Sequence, residues 1–314
     1  MPTVLAFQSN PDDEVRLALD KEIREINNAI APIARRDFRL IQLGAVKIAD
    51  LPQYILEHKP DIFHFCGHGT ANGELVFQGD YNESQSINNE AIDLLFGSLG
   101  KSIKCVVLSS CFSEKQAKRI AEFIPFVIGN SEPIRDEVAI LFSSNLYRAL
   151  SYGKSVYDAF DIAKGVIGAG DKKILKIPVL FNQTPVSRDQ AILFRQPVVK
   201  ACFKLDKRNN PRKKKGNELI MKVWVENLPS NTLSVVYNYN HDTIDDDMEE
   251  MQNDGSGIDS ECELYGNIQL RITLWFKNEG VGIITSLYEA LQNYYRDKEL
   301  SEPVRNALKQ IEEN

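Results

Sequence analysis

The sequence has few of the residues that disulfide-rich scaffolds and metal-binding modules require. Its 314 residues include five cysteines and four histidines, and no pair of cysteines shows the Cys-x-x-Cys spacing of a zinc or redox motif. A disulfide framework is therefore not expected, and the sparse thiols are typical of a protein from a reducing compartment. The pattern predicts no metal ion and no other cofactor.

Excess positive charge and long apolar runs are also missing. The formal net charge is −7, whereas general nucleic-acid-binding domains are usually basic, so that class is not expected. No apolar run approaches the ~18 residues of a membrane span, and the N-terminus lacks the charged region and apolar core of a signal peptide. We therefore expect a cytoplasmic protein without membrane contact. Hydrophobic residues make up 43% of the chain, enough for two domain cores.

Two short apolar runs each end on a reactive side chain. Residues 61–70 read DIFHFCGHGT and place His68 between two glycines. Residues 104–113 read KCVVLSSCFS, in which an apolar run is followed by two serines and then by Cys111. Side chains at the carboxyl ends of neighbouring parallel strands project into one crevice, which would bring His68 and Cys111 together. Because an imidazole can take the proton of a thiol and leave a thiolate, the two are predicted to catalyse covalent acyl transfer.

The residues around these runs alternate between short strands and amphipathic helices. After the first strand, residues 10–13 (NPDD) are typical of a helix start, and an apolar face continues to Ile30. After Cys111, Ser113 is predicted to cap a helix through Ile124, whose positive N-terminus would favour the thiolate. This alternation predicts an α/β domain with a parallel sheet and crossover helices.

The two motifs resemble those of the CHAT proteases, which are caspase-like cysteine peptidases related to separase. The sequence contains His-Phe-x-Gly-His-Gly and, further along, Val-Val-Leu-x-x-Cys-x-Ser. The resemblance runs from Thr3 to Phe181 and includes blocks at residues 127–129, 136–139, 146–150 and 153–155. It implies a caspase-like fold for residues 1–182, with a mostly parallel sheet flanked by helices. It also implies a thiol protease, a cysteine endopeptidase that cleaves protein substrates.

A mechanism follows for the predicted pair. The thiolate of Cys111 attacks a peptide carbonyl, while backbone N–H groups of Gly69 and Cys111 hold the oxyanion. His68 protonates the leaving amine, and water releases the acyl-enzyme. No acidic residue that orients His68 can be assigned from the sequence. The resemblance further implies a protease that is held inactive and released by a partner, as in prokaryotic conflict or antiviral defence systems.

Three neighbouring positions receive other assignments. His64 is expected to face the sheet and shape the site without acting as the base, and Cys66 and Cys105 are expected to pack in the core. His64, Cys66 and His68 also raise the question of a metal ion. Alternate residues of one short strand cannot supply a tetrahedral ligand set alone, and the sequence shows no further ligands, so no metal is expected.

Substrate preference has one candidate determinant. Asp136 and Glu137 follow the helix after Cys111 and could line the rim of the cleft. An acidic wall there would favour substrates with a basic residue before the scissile bond. The competing interpretation is that Asp136 caps the helix that follows it, and we favour the cap. Asp136 therefore enters the site only as a candidate pocket residue.

Three other functions fit the sequence less well. A Rossmann oxidoreductase needs a glycine-rich phosphate loop after its first strand, and residues 8–11 (QSNP) do not form one. A cysteine phosphatase needs an arginine soon after the thiol, whereas Arg119 lies well inside the following helix. The remaining alternative is a non-catalytic caspase-fold scaffold or partner-binding protein. The presence of both His68 and Cys111 favours the peptidase.

The composition changes after residue 182. Residues 183–217 contain three prolines and a run of basic residues without helical periodicity, which predicts a linker with a solvated loop. Contact of this basic run with nucleic acid or acidic lipid is the lesser alternative. Residues 218–314 contain β-like runs separated by turn-rich segments, followed by two helices. The expected architecture is a small antiparallel β-sandwich with C-terminal helices.

This C-terminal part is similar to the prokaryotic relatives of YEATS domains, which are immunoglobulin-like sandwiches. The similarity covers residues 198–278 and is carried by residues 235–237 (VVY), 241–243 (HDT), 265–266 (YG) and 272–276 (ITLWF). Eukaryotic members hold acyl-lysine between aromatic rings, but Ile244 and Leu264 stand at those positions here. Acyl-lysine binding is therefore not expected. The similarity implies a module that docks a protein or small-ligand regulator of the peptidase.

Overall fold

The structure, a computed structural model, divides the chain into two compact units, residues 1–195 and 196–314. It describes residues 2–30, 38–182, 185–214, 218–229, 231–240, 248–253, 259–264, 266–277 and 279–313. Among the helices of these residues, none has both the length and the apolar character that a membrane crossing requires.

The first unit alternates strands and helices along the chain. Its strands are β1 (Thr3–Gln8), β2 (Arg39–Leu43), β3 (Ile62–Cys66), β4 (His68–Gly69), β5 (Leu75–Gln78), β6 (Ser84–Ser86), β7 (Cys105–Ser109), β8 (Phe126–Asn130) and β9 (Pro178–Phe181). Its helices are α1 (Leu19–Ala29), α2 (Asp50–His58), α3 (Asn89–Leu99), α4 (Glu114–Ile120), α5 (Asp136–Ser151) and α6 (Val156–Gly168). Six strands form one sheet in the order β2-β1-β3-β7-β8-β9, parallel except for the antiparallel pair β8 and β9.

Helices cover both faces of this sheet. One apolar core, which includes Ile23 and Leu146, lies under α1, α5 and α6, and a second, which includes Leu51 and Phe96, lies under α2, α3 and α4. Because both faces are covered, β1 and β3 are buried along their whole lengths, which explains their continuous apolar sequences. The predicted α/β architecture, a mostly parallel sheet flanked by helices, is confirmed.

A second, small sheet continues directly from the end of β3. Strands β4, β5 and β6 pair antiparallel in chain order, with His68 opposite Val76 and Gly69 opposite Leu75. The predicted hairpin arm after the Gly-His-Gly turn is present as β5 and β6. This small sheet holds the backbone of His68 at the carboxyl edge of the main sheet.

The prediction that a helix starts at Asn10 is wrong. Helix α1 begins at Leu19, and Val15, assigned to an inward face, is 79% exposed. The Asn10 side chain donates to the carbonyl of Leu17 (3.3 Å) and accepts from its N–H (3.2 Å). Asparagine side chains compete with helical hydrogen bonds in this way. Here that competition closes a loop, residues 10–17, in front of the helix.

The predicted helix after Cys111 has Ser113 at its N-cap position, as expected, but its predicted end at Ile124 is wrong. Helix α4 begins at Glu114 and ends at Ile120, four residues earlier than predicted, without a side-chain cap bond. The Ser113 hydroxyl donates to the carbonyls of Ser110 (3.0 Å) and Leu108 (3.3 Å) and accepts from the N–H of Asn130 (3.0 Å). It therefore ties the end of β7 to β8.

Part of the predicted linker, residues 183–217, packs in the first unit. Ala191 and Phe194 are buried in the core of the first unit, and the Ala191 carbonyl accepts from the N–H of Val156 at 3.0 Å. Strand β10 (Val198–Phe203) belongs to the second unit. The boundary falls between residues 195 and 196, because three-dimensional contacts order a stretch that has no periodic pattern.

The second unit contains two antiparallel sheets. Its remaining strands are β11 (Leu219–Glu226), β12 (Ser234–Asn240), β13 (Met248–Gln252), β14 (Ser260–Leu264), β15 (Gln269–Trp275) and β16 (Gly280–Ser286), followed by α7 (Leu287–Tyr295) and α8 (Glu302–Glu313). The sheet orders are β10-β11-β14 and β13-β12-β15-β16. Helix α7 packs on β10, where the Tyr295 hydroxyl accepts from the N–H of Phe203 at 3.1 Å.

The antiparallel strands and the two helices expected in this unit are present, whereas an immunoglobulin-like or YEATS-like sandwich stays a prediction. Of the residues compared with an acyl-lysine site, His241, Thr243 and Ile244 lie outside the described residues, as does Tyr265. Leu264 is described, and its side chain is buried at the end of β14.

Candidate active site

His68 and Cys111 line the same cleft. The cleft lies at the carboxyl ends of β3 and β7. Its walls also include Leu17, Glu22, Ser109, Asp136 and Ile140. The parallel pairing of β3 and β7 thus brings together two residues that are far apart in the sequence.

Two glycines allow the turn that carries His68. A Cβ at Gly67 would lie 2.9 Å from the carbonyl oxygen of Ser9, and one at Gly69 would lie 2.0 Å from the carbonyl oxygen of Cys111. The N–H of Gly67 donates to the carbonyl of Ser109 at 3.2 Å. Backbone segments of the same chain approach so closely on both sides of His68 that only glycine fits at positions 67 and 69.

Hydrogen bonds to the carbonyl of Ser110 fix the turn that carries Cys111. The carbonyl of Ser110 accepts from the Ser113 hydroxyl and from the side-chain amide of Asn130, both at 3.0 Å. Phe112 adopts a left-handed conformation (φ 52°), which bends the chain sharply into α4. The Cys111 Sγ lies 3.9 Å from the carbonyl oxygen of Ile134. The partly buried residue Cys111 therefore lies on a turn whose preceding carbonyl, that of Ser110, is held by two hydrogen bonds.

An acidic residue that the sequence could not assign lies beside His68. Glu14 Oε2 is 3.9 Å from His68 Nδ1. The loop that carries Glu14 is closed by Asn10 and tied to other elements, since Asp13 accepts from the Ser84 hydroxyl at 2.7 Å and Asp136 from the N–H of Ala18 at 3.0 Å. The acidic residues 12–14 were the only sequence signal for a carboxylate near His68, but they were predicted to begin a helix.

Beneath the cleft, Glu22 and His64 form a buried polar pair. His64 Nδ1 lies 3.1 Å from the Tyr147 hydroxyl, and His64 Nε2 lies 3.3 Å from Glu22 Oε1. The Ser143 hydroxyl donates to Glu22 at 2.6 Å. Burial raises the pKa of Glu22, but its interaction with the neighbouring His64 ring, together with hydrogen bonds from Ser143 and Ser109, outweighs burial and lowers that pKa.

The other two thiols of the first unit lie in its core. Cys66 and Cys105 are fully buried, where they were expected. Burial raises the pKa of Cys105 to about 12, and burial together with the charge of Glu22 raises the pKa of Cys66 well above its usual value. Both therefore stay protonated at neutral pH, unlike a nucleophile.

Asp136 does not cap α5 as predicted. Arg135 occupies the N-cap position without a side-chain hydrogen bond, and Asp136 is the first helical residue. Its carboxylate instead accepts from the N–H of Ala18, which lies outside α5. Asp136 also lines the cleft, so the competing pocket interpretation stays a prediction.

No protein-family model matches the chain. A protein named "Probable protease" from Gillisia limnaea is 26% identical over 148 residues, which are 46% of this chain and 26% of that protein. A protein named "Roc-COR-CHAT protease", from an unknown prokaryotic organism, is 25% identical over 161 residues, which are 49% of this chain and 15% of that protein. The chain thus spans about a quarter or less of the length of these curated relatives.

The structure is also similar to the crystal structure of caspase-1 from Spodoptera frugiperda. The TM-score is 0.40 at 8% sequence identity, and the match covers 58% of this chain and 85% of that one.

Proposed function

We propose that this protein is a cysteine endopeptidase that uses Cys111 as nucleophile and His68 as base. The observation that carries the proposal is that one cleft holds both side chains, with the backbone of Gly69 packed against that of Cys111. Similarity of about half of the chain to two proteins named as proteases supports it.

The chemistry follows from the arrangement around His68. Its Nδ1 faces Glu14, while its Nε2 is buried and has no hydrogen-bond partner within the described residues. Nε2 is thus available to take the thiol proton of Cys111 as the sulfur bonds to a substrate carbonyl carbon. The same proton then passes to the leaving amine as the peptide bond breaks.

Backbone N–H groups of Gly69 and Cys111 are the proposed oxyanion donors. Both residues line the cleft, and their backbones lie against each other. One such donor typically contributes ~10²- to 10³-fold in rate. Water, activated by His68, then hydrolyses the thioester and frees the thiol.

Covalent labelling tests this function. A peptidyl electrophile with a fluorescent tag should modify the full chain at Cys111, and Cys111→Ala should abolish the label. Cys202→Ala is a matched control, because this thiol is also partly exposed but belongs to the second unit. A non-catalytic caspase-fold scaffold would show no selective label at Cys111 and no cleavage of a peptide library.

The second unit has a proposed regulatory role. The similarity of residues 198–278 to YEATS-like domains supports docking of a protein or small-ligand regulator there, as in an activated effector of prokaryotic defence. Such control requires the regulator to bind the active arrangement of the first unit more tightly than the inactive one. Comparing the activity of the full chain with that of the isolated first unit tests this role.

A further inference from the structure

Three side chains with different metal-binding atoms converge beneath the cleft. Glu22 comes from α1, and His64 and Cys66 come from β3, and their ligand atoms all lie within 4.8 Å of one another. Glu22 is 4% exposed, and His64 and Cys66 are fully buried. Two alternate residues of one strand cannot complete a metal site, but the fold adds a third ligand from a helix.

The closest pair in this cluster has an unusual geometry. His64 Nε2 lies 3.3 Å from Glu22 Oε1, yet Nε2 makes no hydrogen bond of acceptable angle within the described residues. Two ligand atoms bound to one tetrahedral zinc at ~2.0–2.1 Å are themselves about 3.3 Å apart. The spacing therefore suits two groups that face a common point rather than each other.

The groups behind these ligands have the arrangement found around metal sites. Histidine ligands generally use their second ring nitrogen for a hydrogen bond that orients the ring, and ligating carboxylates are hydrogen-bonded in turn. Here His64 Nδ1 lies 3.1 Å from the Tyr147 hydroxyl. Glu22 accepts from the Ser143 hydroxyl at 2.6 Å. Both outer partners belong to α5.

We propose that Glu22, His64 and Cys66 form a binding site for a divalent transition-metal ion of the zinc type. One thiolate, one imidazole and one carboxylate are ligands that Zn²⁺ accepts, and three protein ligands leave a fourth position for water. Glu22 also lines the cleft, which gives the ion and this water a path from solvent.

Binding balances the buried charges. The Cys66 S–H bond breaks, a sulfur–metal bond forms, and the proton leaves through the cleft to solvent. A bound dication offsets the charges of the one thiolate and the one carboxylate that bind it.

Cobalt binding tests the site independently of peptidase activity. The full chain with Cys111→Ala, reduced and metal-free, would be titrated with Co²⁺ without oxygen, so that the cleft thiol cannot act as the ligand. A thiolate-to-cobalt charge-transfer band is expected at one equivalent, and Zn²⁺ should displace it. Adding Cys66→Ser should remove the band, whereas Cys105→Ser, which removes an equally buried thiol on β7, should leave it.

A milder variant addresses the outer partner. Tyr147→Phe removes the hydroxyl near His64 and keeps the ring, and it should weaken metal binding by ~10- to 100-fold. If Cys66→Ser does not fold, zinc-edge X-ray absorption of the zinc-loaded Cys111→Ala protein should still show one sulfur neighbour. No charge-transfer band in Cys111→Ala, a band that survives Cys66→Ser, or a zinc shell without sulfur would each overturn the proposal.

Discussion

Gly69 lies directly against the backbone of Cys111. A methyl group added at Gly69 would sit 2.0 Å from the carbonyl oxygen of Cys111, far inside van der Waals contact. The contact joins the turn that carries His68 to the turn that carries Cys111. The distance between the two reactive side chains thus depends on a position that has no side chain.

We expect Gly69→Ala to lower peptidase activity strongly. The obstacle is backbone, which cannot rotate aside, so the two turns must move apart and shift His68 relative to Cys111. A misplacement of about 1 Å in such a site can cost ~10²-fold in rate. The measurement is kcat/KM on a cleaved peptide.

Gly165→Ala is the matched control for this variant. A Cβ at Gly165 meets nothing within 4 Å, and the residue lies on the exposed side of α6. Alanine in a helix interior is favoured over glycine by ~0.5–1 kcal/mol, so this variant should keep its activity and unfold at a slightly higher temperature. If Gly69→Ala were as active as Gly165→Ala, the two turns would not set the catalytic geometry.

The proposed nucleophile, Cys111, and the proposed base, His68, should each be essential for cleavage. Cys111→Ala and His68→Ala are expected to lower kcat by at least ~10³-fold, because removal of either residue stops covalent catalysis. Both side chains border the cleft rather than the core, so thermal unfolding should change little. Cys105→Ala should show the opposite result, with lower stability and retained activity, since its thiol is fully buried. Retained cleavage by Cys111→Ala would contradict the assignment.

Glu14 should act as a positioning residue for His68. Its carboxylate faces Nδ1 at 3.9 Å, close enough to orient a protonated ring electrostatically. We expect Glu14→Gln to lower kcat about tenfold with little change in KM, which corresponds to ~1.4 kcal/mol in the activation barrier.

Asp12→Asn provides the comparison for Glu14→Gln. It removes a charge from the same loop, where the backbone N–H of Asp12 donates to the carbonyl of Asn82 at 2.9 Å and stays in place. This variant should keep both kcat and KM. Equal losses in the two variants would indicate a general effect of loop charge without an orienting role for Glu14.

The strands of the first unit could be predicted from the sequence because both faces of the sheet are covered. β3 and β7 are mostly apolar runs. Because His68 and Cys111 follow the ends of these two runs, a shared cleft could be predicted from the sequence. The loop before α1 could not be predicted in the same way. Its NPDD start satisfies the rules for a helix N-terminus, and only the two hydrogen bonds between Asn10 and Leu17 show that it closes a loop instead.

The surroundings of the site depend on contacts between distant segments. Glu22 lies on the buried face of an amphipathic helix, where a carboxylate gives no periodic signal, and its partners His64 and Ser143 come from another strand and another helix. The packing of Ala191 and Phe194 in the first unit could not be predicted for a similar reason. Ala191 and Phe194 are too few and too irregularly spaced to form a pattern, although both are buried.

The buried Glu22 should make stability depend on acid. Its pKa is lower in the folded chain than the usual 4.5, so it contributes stability that is present above that value and is lost as the pH falls through the folded pKa. Glu22→Gln should therefore be less stable than the parent near neutral pH, and the difference should shrink below about pH 4.5. Urea unfolding across this range is the measurement, and Glu25→Gln, which changes a partly exposed carboxylate on the same helix, is the control. A difference that does not vary with pH would contradict the ionised state of Glu22.

Truncation at the observed boundary should separate catalysis from control. A fragment of residues 1–195 keeps Ala191, Leu193 and Phe194 in the core, whereas a fragment of residues 1–182 loses them. Because burial of a Leu or Phe side chain contributes ~1.5–3 kcal/mol, the shorter fragment should unfold at a clearly lower temperature. Circular dichroism on heating would compare the two fragments.

The longer fragment then tests the role proposed for the second unit. If residues 196–314 hold the cleft in an inactive arrangement until a regulator binds, residues 1–195 should cleave a peptide library without any added partner. The full chain should be slow under the same conditions, and Cys111→Ala in the fragment should abolish its cleavage. Equal rates from the fragment and the full chain would remove the regulatory role, because coupling requires the two states to differ in free energy. The second unit would then be left with recruitment of substrates, which lowers KM for a protein target and leaves cleavage of short peptides unchanged.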